Sequence, residues 1–191
     1  YWGNRNWDPF LVDEIERMAE DGITRALAVF TSAYSSYSGC RQYRENIIEA
    51  REQAAERRPE LTIPEIDKVR AYYDHPGFIE PFAAATRTAI AELDDDAEPT
   101  LVFTAHSIPS SMAASSDYEA QLAEASRLVA ERIADPAPPS TLVWQSRSGP
   151  PQVPWLEPDV NDELDRLAET GVDAAVIVPI GFISDHIEVM W

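Results

Sequence analysis

Two short apolar runs restrict this chain more than any other feature. Leu101-Val102-Phe103-Thr104-Ala105 leads into His106-Ser107-Ile108-Pro109. Val176-Ile177-Val178 leads through Pro179-Ile180-Gly181 into Phe182-Ile183-Ser184-Asp185-His186-Ile187-Glu188. Nearly continuous apolar runs of strand length, stopped by proline or glycine, read as parallel strands buried on both faces. Open α/β sheets collect their ligands at the carboxyl ends of such strands. His106 and Glu188, each placed just past a strand, are therefore the leading candidates for chemistry.

The remaining chain alternates in the same manner. Asp8-Pro9 ahead of Phe10, Val12, Ile15 and Met18, with Asp21-Gly22 behind them, predicts a helix with an Asp8 N-cap, a proline at its first position and a terminal glycine. A strand at 25–30 opens into a polar loop, a charged helix spans 42–58, and 61–63 is a further short strand. A turn at 72–78, containing His75 at the surface or between domains, precedes a helix at 78–93. Asp94-Asp95-Asp96-Ala97-Glu98-Pro99 is an exposed acidic linker. Beyond it come a strand at 101–105, a loop at 106–116, a helix at 117–134 and a strand at 141–144. A Pro-containing loop at 145–158, a helix capped by Asp159 and stopped by Gly171, and a strand at 174–179 follow. Such alternation predicts an α/β fold of parallel sheets covered by helices on both faces, with right-handed crossovers. The domain boundary is expected between about 76 and 99: one lobe at 1–85, a linker at 86–98 and a second lobe at 99–191.

The 34 acidic and 15 basic residues leave a net charge of −19. A surface of that sign repels nucleic acid and anionic lipid. No run approaches the ~20 apolar residues of a membrane span, and Tyr1-Trp2-Gly3-Asn4-Arg5 has no signal-peptide pattern, so a cytoplasmic setting is expected. Without an initiator methionine, and stopping just after the second motif, the chain reads as an internal piece of a longer protein. Its single cysteine, Cys40, excludes a disulfide within the piece. No GxGxxG, P-loop, HExxH or GxSxG pattern occurs, which removes the sequence basis for dinucleotide, nucleotide, zincin and α/β-hydrolase readings.

Imidazole accepts a proton or a metal near neutral pH, and a carboxylate balances the charge, so His106 with Glu188 suits either proton abstraction or a divalent cation. Spacing leaves both open, as it leaves Glu188 open to being a helix-terminal acid. Asp185 and His186 lie beside Glu188 in the sequence and would support it. Tyr34, Ser35, Ser36, Tyr37, Ser38 and Tyr43 offer rings and hydroxyls after a strand, either for a planar ligand with polar edges or as a plain polar loop. Trp144, Trp155 and Phe182 are core or cleft lining.

Together these motifs resemble the ferrochelatases, the enzymes that insert iron in haem biosynthesis. Phe103-Thr104-Ala105-His106-Ser107-Ile108-Pro109 is similar to the family's histidine motif, and Pro179 through Val189 to its glutamate motif. Gln145-Ser146-Arg147-Ser148-Gly149-Pro150 with Trp155-Leu156-Glu157-Pro158-Asp159 resembles the loop between them, and the stretch from Gly3 to Gly22 an earlier helix. The resemblance implies two Rossmann-like lobes with a porphyrin in the cleft between them, and both chain ends missing from this piece. It implies that His106 and Glu188 face the ferrous-iron side of the macrocycle as catalytic and metal-binding residues, and that Tyr43 and Ser36 contact the porphyrin.

Ser38-Gly39-Cys40-Arg41-Gln42-Tyr43 looks most like the actinobacterial branch. There a cysteine at this point joins three from a carboxyl-terminal tail around a two-iron two-sulfur cluster, which would make Cys40 a ligand. Members of that branch are similar to coproporphyrin ferrochelatases, so the substrates implied are Fe(II) and coproporphyrin III. Protoporphyrin IX, a cobalt or nickel chelatase of the same fold, and a non-catalytic tetrapyrrole-binding module are the alternatives. Asn6 stands where some relatives carry a histidine before the Pro-Phe pair.

Overall fold

The computed structural model describes residues 1–36 and 41–184. The chain divides into two compact units, one of residues 1–31 and 37–70, the other of 32–36 and 71–191. Each is α/β with a parallel sheet, in agreement with the alternation read from sequence.

In the first unit, α1 (Leu11–Glu20), β1 (Arg25–Ala28), α2 (Gln42–Arg57) and β2 (Glu65–Lys68) follow one another. β1 and β2 pair in parallel from Arg25↔Glu65 to Ala28↔Lys68. Val12 and Ile15 of α1 meet Ala50 and Ala54 of α2 in a small core that Leu11, Ile63 and Ile66 extend. The start of α1 differs from expectation: Phe10 is the N-cap and no side chain caps the helix. The Asn4 backbone supplies what Asp8 was expected to give, since its N–H donates to Pro9 O (2.7 Å) and its carbonyl accepts from Leu11 N (3.0 Å). The strand expected at 61–63 is also displaced, to Glu65–Lys68. Only Ile66 of that strand packs into the core, so its apolar signal is weak, and Arg25 paired with Asp67 at 2.7 Å holds its outer side.

The second unit contains α3 (Pro76–Ile90), β3 (Thr100–His106), the short α4 (Ser110–Ala113), α5 (Tyr118–Ile133), β4 (Ser140–Gln145), α6 (Val160–Glu169) and β5 (Ala175–Val178). Its sheet has the order β4-β3-β5, all parallel. Side chains alternate across a strand, so β3 serves two cores. Leu101, Phe103 and Ala105 pack with Ile79 and Ala83 of α3 and with Leu122, Ala125 and Val129 of α5. Val102 packs on the opposite face with Val143 and with Leu167 of α6. Leu101, Val102 and Phe103 are each wholly buried, a contribution of about 1.5–3 kcal/mol apiece.

The 76–99 stretch, where a lobe boundary was expected, lies inside this second unit, because α3 packs its buried face into the same core as α5. His75 is the N-cap of α3, its Nδ1 accepting from Gly77 N at 3.0 Å. Asp159 caps α6 as expected, accepting from Asn161 N at 2.9 Å. Gly22 and Gly171, behind α1 and α6, take φ of +76° and +80°, the left-handed conformation that closes a helix at little cost only for glycine.

Glu163 on α6 is buried and takes two hydrogen bonds from Arg166, at 2.7 and 2.8 Å. Arg166 holds its carboxyl below the ordinary range, with help from Thr141. A carboxylate with a lowered folded-state pKa stabilises the fold above its unfolded pKa, and the contribution fades as pH falls through the folded value. Glu163→Gln should therefore cost about 1 kcal/mol at neutral pH. Urea unfolding followed by tryptophan fluorescence should show that difference shrinking as the pH is lowered through the carboxylate range.

Candidate active site at the carboxyl end of β3

His106 is the last residue of β3 and is half-buried, where the six preceding positions are buried. Its Nδ1 lies 2.5 Å from the Ser107 carbonyl. A carbonyl only accepts, so Nδ1 carries the hydrogen and the neutral ring keeps its lone pair on Nε2. Ser107 is fixed in turn: its N–H donates to Gln145 O and its hydroxyl to Leu156 O, both at 2.8 Å. The His106 carbonyl accepts from the Tyr118 hydroxyl at 3.1 Å. The ring is thus presented by a backbone held on three sides, an arrangement suited to a base or a metal-binding nitrogen.

The second motif starts beside the first. β5 runs parallel to β3 from Thr100↔Ala175 to Phe103↔Val178. Beyond β5, Gly181 N donates to Thr104 O at 3.0 Å. A Cβ at Gly181 would lie 2.5 Å from the Ala105 Cβ and 2.7 Å from its Cα, so only glycine permits this approach. Glu188, Asp185 and His186 lie outside the described residues, as does Cys40. Among the described residues no group of three or more His, Cys, Asp and Glu side chains is placed to hold a metal ion.

The loop between the motifs folds against the histidine turn. Leu156 N donates to Ile108 O and Ser110 N to Pro154 O, both at 3.0 Å. Gly149 packs so closely on the Trp155 indole that no side chain fits there. Ser146, immediately after β4, has φ +62°, a left-handed conformation uncommon for a residue with a side chain. His106 is paired with Gln145 across the sheet, so this strained residue follows directly on the strand end beside the histidine.

Residues 32–36 also belong to this unit. Tyr34, a candidate for facing a ligand, is a core residue at 4% exposure; its hydroxyl donates to Ile180 O at 2.8 Å. Burial pushes the Tyr34 and Tyr118 phenols up, beyond the ordinary tyrosine range, so both remain donors. Ser35 N donates to Gln121 Oε1 at 2.7 Å, and Gln121 Nε2 to the Ser35 hydroxyl at 2.9 Å. Ser36, next in the chain, is half-buried. Tyr43 lies in the first unit, on α2, with its ring stacked on Phe30 (centroids 4.7 Å apart, 22° between planes) and the Arg5 guanidinium 5.9 Å from its centroid. Trp144 is core and packs on Tyr118, while Trp155 and Phe182 are half-buried.

Sequence reasoning singled out His106 as a candidate and passed over the residues packed around it. Ser107 had a signal, since a serine between a buried strand and a proline needs partners for its polar groups. Tyr118 and Gln121 had a fainter one: polar atoms three residues apart on the buried face of a helix whose other inward positions are Leu122, Ala125 and Val129.

A central parallel strand ending in histidine, with the Pro-Ile-Gly segment that follows the neighbouring strand laid against it, defines a Rossmann-like α/β protein with a candidate site at the carboxyl end of the sheet. A sequence model of the ferrochelatase family matches residues 1–191. The chain is 50% identical to a coproporphyrin III ferrochelatase of Mycolicibacterium vanbaalenii, covering all of this chain and 56% of that protein. It is 49% identical to one of Frankia alni (all of this chain, 51% of the relative) and 50% identical to a ferrochelatase of Rhodopirellula baltica (all of this chain, 53% of the relative). The chain belongs to the ferrochelatase family. It spans about half the length of the curated relatives it matches.

Gly181→Ala should cost about 1–3 kcal/mol, because the added methyl meets the backbone of β3 and not a movable side-chain end. The measurement is a thermal melt beside Gly77→Ala, whose new Cβ would meet only the His75 ring, at 3.1 Å; equal effects would remove the argument for close approach.

Proposed function

We propose that the protein of which this chain is part inserts Fe(II) into coproporphyrin III, with His106 and Glu188 as the reacting pair. The observation that carries this reading is the His106 ring at the end of β3, its proton directed to Ser107 O and its lone pair on Nε2, beside the strand that leads to Glu188. Metallation requires two pyrrole N–H protons to leave as the cation enters, so a neutral imidazole and a carboxylate near the ring centre meet the chemical need. His106 Nε2 takes a pyrrole proton or holds the incoming iron. Glu188 offsets the charge, and Asp185 and His186 orient it.

Tyr43 and Ser36 contact the macrocycle in this reading. Coproporphyrin III is preferred to protoporphyrin IX because relatives at 49–50% identity, including those of Frankia alni and Mycolicibacterium vanbaalenii, are named for it. No described helix is long and apolar enough to cross a membrane, and the proposed setting is the cytoplasm.

A two-iron two-sulfur cluster takes four protein ligands, and Cys40 is the sole cysteine here. This chain alone does not supply that donor set, so no step is routed through a cluster. The assignment of Cys40 as a ligand stands or falls with three further cysteines in the full-length protein, read by iron and sulfide analysis and by visible absorbance.

Full-length protein should consume Fe(II) and coproporphyrin III, with the metalloporphyrin spectrum appearing in step. His106→Ala should abolish turnover while porphyrin still binds, as read by absorbance titration. Full activity in that variant would end the assignment. Parallel turnover of protoporphyrin IX, and of Co(II) and Ni(II), separates the chelatase readings from one another.

A further inference from the structure

Gln121 sits at 9% exposure among the apolar residues of α5, yet it directs both ends of its amide at one residue, Ser35. Ser35 N–H can only donate, which fixes Oε1 toward it and Nε2 toward the hydroxyl. A leucine would fill this place without the desolvation that a buried amide suffers, so packing alone does not account for the residue. Tyr118, one turn earlier on the same helix, directs its hydroxyl at the His106 carbonyl. Tyr34 lies edge-on to Tyr118, with centroids 6.2 Å apart, and holds the Ile180 carbonyl just ahead of Gly181.

We propose that the first turn of α5 is a two-armed positioning bracket, in which Gln121 sets the segment bearing Ser36 for porphyrin binding and Tyr118 sets His106 for the metallation step. The assignment of the two arms rests on the iron-insertion reading above. Neither residue touches the reacting atoms; each acts through a neighbour, and through a different one. Their effects should therefore fall on different kinetic parameters, whereas a general loosening of the core would move all of them together.

The test uses full-length protein with coproporphyrin III and Fe(II). Gln121→Leu should raise the porphyrin KM about tenfold, as loss of two hydrogen bonds would, with kcat held within about twofold. Ser35→Ala removes one of the two bonds and should raise it about threefold, and the double variant should be no worse than Gln121→Leu alone. Tyr118→Phe, which keeps the ring, should lower kcat about fivefold and leave the porphyrin KM unchanged. Absorbance titration with porphyrin and no metal gives a second readout: weaker binding for Gln121→Leu, unchanged binding for Tyr118→Phe.

Wild-type turnover with both variants depressing the same parameter, or neither moving any, overturns the bracket and leaves the iron-insertion reading intact. Wild-type protein that binds porphyrin without metallating it overturns that reading, and the titration then decides the Gln121 arm alone. If Gln121→Leu fails to fold, additive behaviour of Ser35→Ala with Gln121→Asn overturns the arm, and non-additive behaviour sustains it.

Discussion

The second unit depends on a strand with no solvent-facing side. From Thr100 to Ala105 every residue of β3 is buried, one set of side chains closing against α3 and α5 and the other against β4 and α6. A one-residue slip would exchange the two sets, so the register is strongly fixed. That is what makes the strand's end a dependable place to hold a side chain in a fixed position. His106 emerges where burial stops, and its position is settled by packing that extends through the whole unit rather than by the loop it opens.

The hydrogen bonds around this end follow from the same burial. Backbone groups at the edge of a parallel sheet must find partners when water is excluded. Ser107 satisfies its donors with Gln145 and Leu156, and the Tyr118 hydroxyl takes the His106 carbonyl. With these commitments made, the Ser107 carbonyl accepts from the imidazole. The Nδ1 hydrogen of His106 thus follows from how this end of the sheet satisfies itself.

The elements that were legible from sequence share one property: a strong apolar period or a cap whose chemistry is local. β3, β4, β5, α5 and α6 were readable to within a residue or two, as was the Asp159 cap. The misplaced features lack a local side-chain signal of that kind. β2 carries only Ile66 into the core, so its alternation is nearly silent. α1 takes its N-terminal cover from the backbone of Asn4, which no pattern of side chains reports. At the site, His106 was visible because a histidine ends a buried run. Tyr34 was misjudged because the composition of 34–38 suggested a polar loop while the ring was already committed to the core. Gln121 was invisible because its role exists only once residues 86 positions apart are brought together.

The second unit is not a continuous stretch of polypeptide. Residues 32–36 belong to it, although the chain on both sides belongs to the first unit. A shortened gene that began at Ala71 would keep every strand of the three-stranded sheet and still lose Tyr34 and Ser35, leaving Gln121 with an unanswered amide and Ile180 with an unanswered carbonyl. The two units are therefore poor candidates for modular exchange by recombination. A crossover placed between them by counting secondary-structure elements would sever the second core at its aromatic centre, so selection is expected to move these two units together.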